Sequence, residues 1–532
     1  MAYPQTRHEV HYGSRVVRAF VDRPAHIDAM FRAAVAASPE RDAIVMDAKR
    51  MSYAALDARV EAVAANLVAQ GLGKGDRVAL LLDNGFAFLE CVLAAARAGL
   101  IVVPMNTRQR RPEIEFVLNQ CRAAALVYDA EHAANLPTED AVPDLRARFV
   151  VGQGPDVPYE YLARLAAVAS FPQVAEDDVF CLLYTSGTTG RPKGAKLTHF
   201  STIHSTINYA SALALTPADV GLLAVPASHV TGLVAVLLTM IRAGGTTVML
   251  PAFKARHFLE VAARERATFT IMVPAMYNLC LLDPDFAGFD LSHWRIAGFG
   301  GAPMPQATID RLTDTAPSLN LVNCYGSTET TSPATILPVG DIAAHPKSVG
   351  RPVAGCDILI VDEHGREVAP GESGELMIAG AMVVPGYWEN PEADAAGFID
   401  GYWVSGDVGS VDAEGYVHVF DRKKDMINRA GFKVYCIEVE SVLSRHPAVI
   451  ESAVVGHPDP VLGEKVHAFI VARPGAADTQ AIRAYCAERL SDYKVPDAIT
   501  FLEAPLPRNP NGKILKTSLR QMLPADDVAA AR

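Results

Sequence analysis

Apolar positions along the chain fall into two periods. From Ile27 to about Asp129, stretches with helical spacing (near Ile27 to Ala37, Tyr53 to Gln70, Phe88 to Ala98) are separated by the short apolar runs AIVMD, RVALLLD and LIVVPMN. Short buried runs between amphipathic helices predict βαβ alternation and parallel sheet. The pattern resumes after VFCLLYTSG with GLLAVP, TTVML, FTIMVP, RIAGFGG and LNLVNCYGSTE, each an apolar run ending in small or polar residues. Loops at such strand ends are where these sheets place ligands.

From about Gly355 the texture changes to short alternating strands with glycine turns, DILIVDEHG, GELMIAG and GYVHVFD, which predict a β-rich subdomain over about 355–421. It changes again after Asp421. EVESVLSRHP, VIESAVVGHPD, KVHAFIVAR, TQAIRAYCAERL and AITFLEA read as a small α/β domain over 422–532, following a large domain over 1–421, with the junction at 421–425. The fold class is α/β: a large N-terminal domain of mixed and parallel sheets with flanking helices, plus a small C-terminal domain. The closing PADDVAAAR reads as a solvated tail.

The longest stretch without Asp, Glu, Lys or Arg, Val220 to Ile241, is interrupted by Pro226, Ser228, His229, Thr231 and Gly232. It predicts a strand, a loop and a buried helix, not a membrane span. Charges throughout the N-terminus argue against a secretory signal. A chain of 532 residues exceeds one core, and a net charge of −12 lacks the basic excess that nucleic acid requires. Eight scattered cysteines without CxxC spacing read as free thiols in a reducing cytoplasm. A homodimer is an open option.

The chemistry concentrates in a few segments. YTSGTTGRPKG, Tyr184 to Gly194, packs glycines, hydroxyls and Lys193 behind an apolar strand, a composition that suits a polyphosphate. Gly, Ser, Thr and Pro are also the commonest turn residues, so composition alone leaves a solvated turn open. A P-loop needs GxxxxGK[ST] running into a helix, whereas here Lys193 follows Pro192 and precedes Gly194. The Thr328–Glu329 pair in NCYGSTE could equally cap a helix. DRKKD, Asp421 to Asp425, could be a solvated charge run, but it falls at the domain junction.

Taken in order, YTSGTTGRPKG, GFGGAPMP (Gly298 to Pro305), NCYGSTE, VSGDVG (Val404 to Gly409), FDRKKDMINRAG and PRNPNGKILK (Pro507 to Lys516) resemble the adenylate-forming superfamily of acyl-CoA synthetases, peptide-synthetase adenylation domains and firefly-type luciferases. By that resemblance Thr185, Ser186, Gly187, Thr188, Thr189, Gly190 and Lys193 hold the phosphates of ATP. Gly301, Ala302 and Pro303 line the adenine pocket, and the Tyr325 ring packs on adenine, with Gly326 beside it in the nucleotide site. Thr328 meets the α-phosphate, and Glu329 helps hold Mg²⁺. Asp407 binds the ribose hydroxyls and Arg422 the ribose or phosphate. Lys424 is the hinge, Gly431 lines the thiol path and Lys513 is the catalytic lysine. Two departures stand in VSGDVG: Ser405 replaces the usual threonine, and Val404 a basic residue.

The resemblance implies an acid–thiol ligase that uses ATP, Mg²⁺ and coenzyme A to activate a carboxylic acid as its adenylate and then form the thioester. The absence of a GxSxG elbow or serine triad agrees, since no side-chain nucleophile is needed. The segments matching the family's acid pocket offer His229, Val230, Gly232, Ala302 and Pro333, with few charges, so an apolar acid, fatty or aryl, is expected. His229 is otherwise a satisfied core histidine. Loading of a carrier protein is the alternative acceptor reaction, and a phosphotransferase or ATPase the alternative of another class.

Overall fold

The structure, a computed structural model, describes residues 4–164, 170–185, 192–430, 432–476, 478–508 and 514–523. Ser186, Gly187, Thr188, Thr189, Gly190, Gly431 and Lys513, and the tail from residue 524, lie outside the described residues.

Two large sheets carry the N-terminal part. In the first, Arg77–Leu81 lies between Ile101–Pro104 and Ala125–Asp129, all parallel, and Val179–Thr185 continues the sheet beside Ile101–Pro104. The edge strand Lys193–Thr198 runs antiparallel to Val179–Thr185, so the sheet is mixed. In the second, Asn320–Tyr325, Ile296–Phe299, Phe269–Met272, Val220–Leu223 and Thr246–Met249 are successive parallel neighbours. The expected alternation is present because each apolar run is long enough for a strand buried on both faces and too short for a helix.

Helices fill the space around these sheets. Phe86–Ala98 is buried from Phe88 to Ala98, as an all-apolar face demands. It stops at Gly99, whose φ of 67° is left-handed and whose absent Cβ would press on Lys74 and Pro172 at 3.2 Å. His199–Ala212 starts in a reciprocal cap: Thr198 Oγ1 accepts from Ser201 N at 3.0 Å, and Ser201 Oγ from Thr198 N at 3.1 Å.

The β-rich segment forms a separate sheet, in which Cys356–Val361, Gly374–Gly380, Tyr402–Val411 and Val417–Arg422 pair antiparallel in succession. The C-terminal sheet pairs Val449–Asp459 with Gly463–Ala472 and adds Ala498–Phe501 in parallel. Its first hairpin, Ile427–Arg429 with Phe432–Val434, was not legible as strand pairing, because its residues carry the charges of a linker. The hairpin Thr6–His11 with Arg15–Phe20 was also unforeseen. Its outward Val10 and Val16 are exposed, and of its apolar residues only Val17, Ala19 and Phe20 reach the interior, beside the buried His11, so the apolar signal is weak.

All eight cysteines are free thiols. Among the described residues no helix is long and apolar enough to cross a membrane.

Candidate active site

Parallel pairing of Ile296–Phe299 with Asn320–Tyr325 puts Phe299 opposite Asn323, so the loops of GFGGAPMP and NCYGSTE leave the sheet side by side. Gly300 is required there: a Cβ would stand 2.3 Å from the Cys324 carbonyl oxygen. Gly301, Ala302 and Pro303 follow on the surface, with their backbone open to a ligand.

Tyr325 ends its strand and donates from its phenol to Asp407 Oδ2 at 2.6 Å. Asp407 is 6% exposed and faces Arg422 across the Tyr402–Val411 and Val417–Arg422 pair; Arg422 Nε donates to its Oδ1 at 2.7 Å. Burial first, and then the charge of Asp407, holds the Tyr325 phenol well above its ordinary pKa, so it remains a donor. Ser405 sets this turn: its hydroxyl donates to the Leu376 carbonyl at 2.7 Å and accepts from Asp407 N at 3.0 Å. Serine therefore retains the hydroxyl contacts that matter at the first departure from the family motif.

Thr328 and Glu329 lie in a turn and cap no helix. The Glu329 side chain accepts from Ser327 Oγ at 2.5 Å on one oxygen and from the Tyr387 phenol at 2.9 Å on the other. Tyr387 also carries Lys193 Nζ over its ring, 5.3 Å from the centroid. The backbone fixes this meeting, since Lys196 N donates to the Gly386 carbonyl at 3.0 Å and Trp388 N to that of Gly194 at 2.7 Å. Thr185 stands opposite Lys193 in the strand register, so both ends of the glycine-rich loop are placed beside Glu329's partner. Each Glu329 oxygen keeps a free lone pair after its one neutral hydroxyl bond, a donor set that fits a hard cation such as Mg²⁺.

The acid-pocket residues come from two other segments. His229 is half-buried with Nδ1 3.2 Å from Thr231 Oγ1, and Val230 is buried beside it. Gly232 is the second residue of the Thr231–Leu238 segment, which winds as a π-helix, and its missing Cβ would meet the Pro226 carbonyl oxygen at 2.3 Å. Such wide turns recur at functional sites. Pro333 is buried at the end of the loop that starts at Tyr325, and Gly326 packs near it, where Ala334 N donates to the Tyr325 carbonyl at 2.8 Å. Within that loop Thr331 has φ 49° and Ser332 φ 33°, uncommon for non-glycine residues. Two side-chain bonds hold them: Thr331 Oγ1 to Ser201 Oγ at 3.1 Å, and Tyr209 with Ser332 Oγ at 2.8 Å.

Lys424 is exposed at the junction and belongs to neither polar group. Around it, Arg520 Nη2 pairs with Asp425 at 2.7 Å, Cys436 N donates to the buried Asp421 carboxylate at 2.5 Å, and Lys423 pairs with Glu375 at 2.8 Å.

Two residues escaped the sequence reading. Tyr387 was hidden in VVPGYWEN, where only an aromatic after a glycine hinted at a role. Asn84 closes RVALLLDN; its amide donates to the carbonyls of Val225 and Leu250 at 3.0 and 2.9 Å and accepts from Ala227 N at 2.7 Å, fixing the backbone just before His229. No spacing pattern marks it.

A family model described as "AMP-binding enzyme" matches residues 31–388, and one described as "AMP-binding enzyme C-terminal domain" matches 438–513. The chain is 36% identical to a long-chain-fatty-acid–CoA ligase of Mycobacterium tuberculosis over 498 residues, 93% of this chain and 98% of the relative. It is also 36% identical to a feruloyl-CoA synthase of Amycolatopsis over 490 residues, 91% of this chain and 96% of the relative. Among solved structures it is similar to o-succinylbenzoate CoA synthetase from Bacillus subtilis in complex with its acyl-adenylate intermediate. The TM-score is 0.83 at 29% identity, over 92% of this chain and 97% of that one. The same synthetase in complex with ATP and a magnesium ion is similar with a TM-score of 0.82 at 30% identity, over 92% and 99%.

Proposed function

This chain belongs to the AMP-binding enzyme family of adenylate-forming acyl-CoA synthetases, and on that premise we propose how its residues divide the reaction. The enzyme is an ATP-dependent acid–thiol ligase. A substrate carboxylate attacks the α-phosphate of ATP and expels pyrophosphate; the thiol of coenzyme A then attacks the acyl carbon and expels AMP. Neither step needs a side-chain nucleophile, so the protein contributes position and charge.

The observation that carries the division of roles is that two buried, hydroxyl-bonded carboxylates, Asp407 and Glu329, flank one loop. Asp407, oriented by Arg422 and Tyr325, takes the ribose hydroxyls, while the Tyr325 ring, with Gly326 beside it, and the open Gly301–Pro303 segment receive the adenine. Glu329 would hold Mg²⁺, which when bound neutralises charge on the departing pyrophosphate. Thr328, Thr185, Lys193, the loop residues 186–190 and Lys513 position the phosphates. His229, Val230, Gly232, Ala302 and Pro333 line the site of an apolar acid, fatty or aryl, supported by the wholly apolar run Gly232–Leu238 behind them.

We divide the chain into 1–421 and 422–532, with a hinge near 421–425 at Lys424 and a thiol path at Gly431. The separate C-terminal sheet and its own buried cluster, from Ile427 to Cys486, support this. The free cysteines support a cytoplasmic enzyme, and the net charge supports small-molecule partners over nucleic acid. Sedimentation velocity distinguishes a monomer from a homodimer.

The test is an acid panel assayed for pyrophosphate with and without coenzyme A. The expected result is acid-dependent pyrophosphate, with AMP and thioester appearing when coenzyme A is present. Release of ADP or orthophosphate, or pyrophosphate that depends on neither acid nor thiol, overturns the reading.

A further inference from the structure

Between the strand Gly374–Gly380 and the helix Pro391–Gly397 the chain forms no regular element, yet Ala381, Met382, Val383 and Val384 are each at most 2% exposed and Tyr387 is buried. A buried strap of this kind must find partners outside itself for its backbone groups. Val384 N donates to the Glu329 carbonyl at 2.9 Å, and the Gly386 carbonyl and Trp388 N are bound to the strand Lys193–Thr198. Tyr387 N donates to Asp394 Oδ1 at 2.6 Å, in the first turn of the helix that follows. The carbonyls of Val383 and Val384 both accept from Arg15 Nη1, at 3.1 and 3.0 Å. Among the described residues no other donor reaches them.

Arg15 belongs to the N-terminal hairpin, which precedes the residues 31–388 that the family model matches. Its guanidinium is half-buried and pairs with no carboxylate among the described residues; it meets the two carbonyls and lies 5.4 Å from the centre of the Tyr12 ring. A buried cation is costly unless its hydrogen bonds are made, so these two bonds are what holds it there. Gly401 leaves room for the stem, since a Cβ there would stand 3.3 Å from Arg15 Cγ. The hairpin is itself fixed to the body. Tyr12 N donates to Asp177 Oδ2 at 3.0 Å, and Arg23 pairs with Glu9 at 2.6 Å and Glu176 at 2.8 Å.

The strap holds Glu329 twice, by Val384 N on its carbonyl and by the Tyr387 phenol on Oε1 at 2.9 Å. Val384 therefore carries Arg15 on its carbonyl and Glu329 on its N–H, so a shift at Val384 moves Glu329 with it. We propose that Arg15 is a positioning residue for the magnesium carboxylate, with Asp394 its counterpart at the other end of the strap. Together they fix Val383–Tyr387, and through it both the backbone and the side chain of Glu329. This rests on the reading of Glu329 as the magnesium ligand, and it extends the adenylation machinery to a hairpin outside the matched domain.

The experiment measures, by isothermal titration calorimetry without acid or coenzyme A, the affinity of a non-hydrolysable ATP analogue in Mg²⁺ and in EDTA. The ratio of the two affinities reports the metal contact, whereas a general folding defect weakens both and leaves the ratio alone. Wild type, Arg15→Met, Asp394→Ala, Glu329→Gln and the double variant Arg15→Met with Glu329→Gln are compared. Methionine keeps a long apolar stem and removes the donors. In Arg15→Met the ratio is expected to fall about 5-fold or more, and kcat for pyrophosphate release about 10-fold, as for a small misplacement made at a distance. The double variant is expected to match Glu329→Gln, because two residues that act through one contact do not add. A ratio unchanged in folded Arg15→Met overturns the proposal, and so does a further fall in the double variant. Where Arg15→Met does not fold, Asp394→Ala takes its place, and an unchanged ratio there overturns the proposal equally. A ratio unchanged in Glu329→Gln overturns instead the magnesium assignment, and the inference with it.

Discussion

The phenol of Tyr325 and the carboxylate of Asp407, 82 residues apart in the chain, meet at 2.6 Å. That bond joins the strand edge carrying NCYGSTE to the β-rich sheet carrying VSGDVG, and Arg422 closes it from the other oxygen at 2.7 Å. If the pair presents Asp407 to the ribose, Asp407→Asn keeps the shape and removes the charge that Arg422 and the ribose share. Loss of charge-assisted bonds of this kind costs about 1.5–3 kcal/mol, so kcat/KM for ATP falls about 10- to 100-fold with the KM for the acid little changed. Steady-state pyrophosphate assays with each substrate varied in turn check this. An unchanged dependence on ATP would remove Asp407 from the nucleotide site.

Glu329 is held by two neutral hydroxyls and presents its charge to whatever lies in front of it. Glu329→Gln is expected to lower kcat for adenylation about 100-fold, the scale for one lost electrostatic contact, and to move the magnesium dependence to higher concentration. Tyr387→Phe removes only the orienting hydroxyl and lowers the rate by roughly 2- to 10-fold. A magnesium titration of all three proteins decides; identical half-saturation in wild type and Glu329→Gln contradicts the assignment of the carboxylate.

Two lysines should separate the half-reactions. Lys513→Ala is expected to slow adenylation about 10²–10³-fold while thioester formation from supplied acyl-adenylate largely survives. Lys424→Pro fixes φ near −65° at the junction and removes an N–H, so it should impair the thioester step at least about 10-fold more than adenylation. Single-turnover measurement of each half-reaction tests both, and equal losses in the two steps would sink the division of labour.

His199 and His204 are buried neutral, pushed down to about 3 by desolvation. Because the folded pKa lies below the unfolded value of about 6.5, their contribution to stability is complete above that value and declines as pH falls toward 3. At pH 5 each has lost roughly 2 kcal/mol, so the thermal midpoint should drop by several degrees between pH 7.5 and 5. Asp129, pushed up to about 6 by burial, acts in the opposite sense and loses stability as pH rises through 6. The decisive reading is therefore the difference between wild type and His204→Gln, whose midpoint should fall less far, because only His199 and His467, the latter pushed down to about 4 by burial, then contribute in this sense. A parallel fall in the two proteins refutes the role given to His204.

The alternation of apolar runs with helical stretches placed the parallel strands of the second large sheet and the centre of the first, because burial on both faces writes itself into consecutive residues, while Ala125–Asp129 and Ala147–Val151 were added by the structure. The two hairpins at Thr6–Phe20 and Ile427–Val434 were not legible, since their charged residues are paid no penalty on solvent-facing strands. The site divides in the same way. Lys193 could be singled out from the glycine- and hydroxyl-rich composition around it, whereas Tyr325, Glu329 and Asp407 were reached through the resemblance of NCYGSTE and VSGDVG to the family motifs.

Which distant groups meet those residues depends on the fold. Tyr387 reaches Glu329 across 58 positions, and Asn84 fixes the backbone at Ala227 across 143. Neither pairing has a local signature, because a hydrogen bond between remote segments depends on register and packing, not on neighbours in sequence. The helix His199–Ala212 is the clearest case. Its serines, threonines and asparagine resemble a solvated surface in the sequence, and burial alone turns Thr202, Ser205 and Asn208 into groups that need a partner. The reaction could be read from the ordered motifs through their resemblance to a known family, since catalysis by position and charge is carried by short segments. The fold decided the shape and polarity of the space those motifs surround, and with it the acid the enzyme can accept.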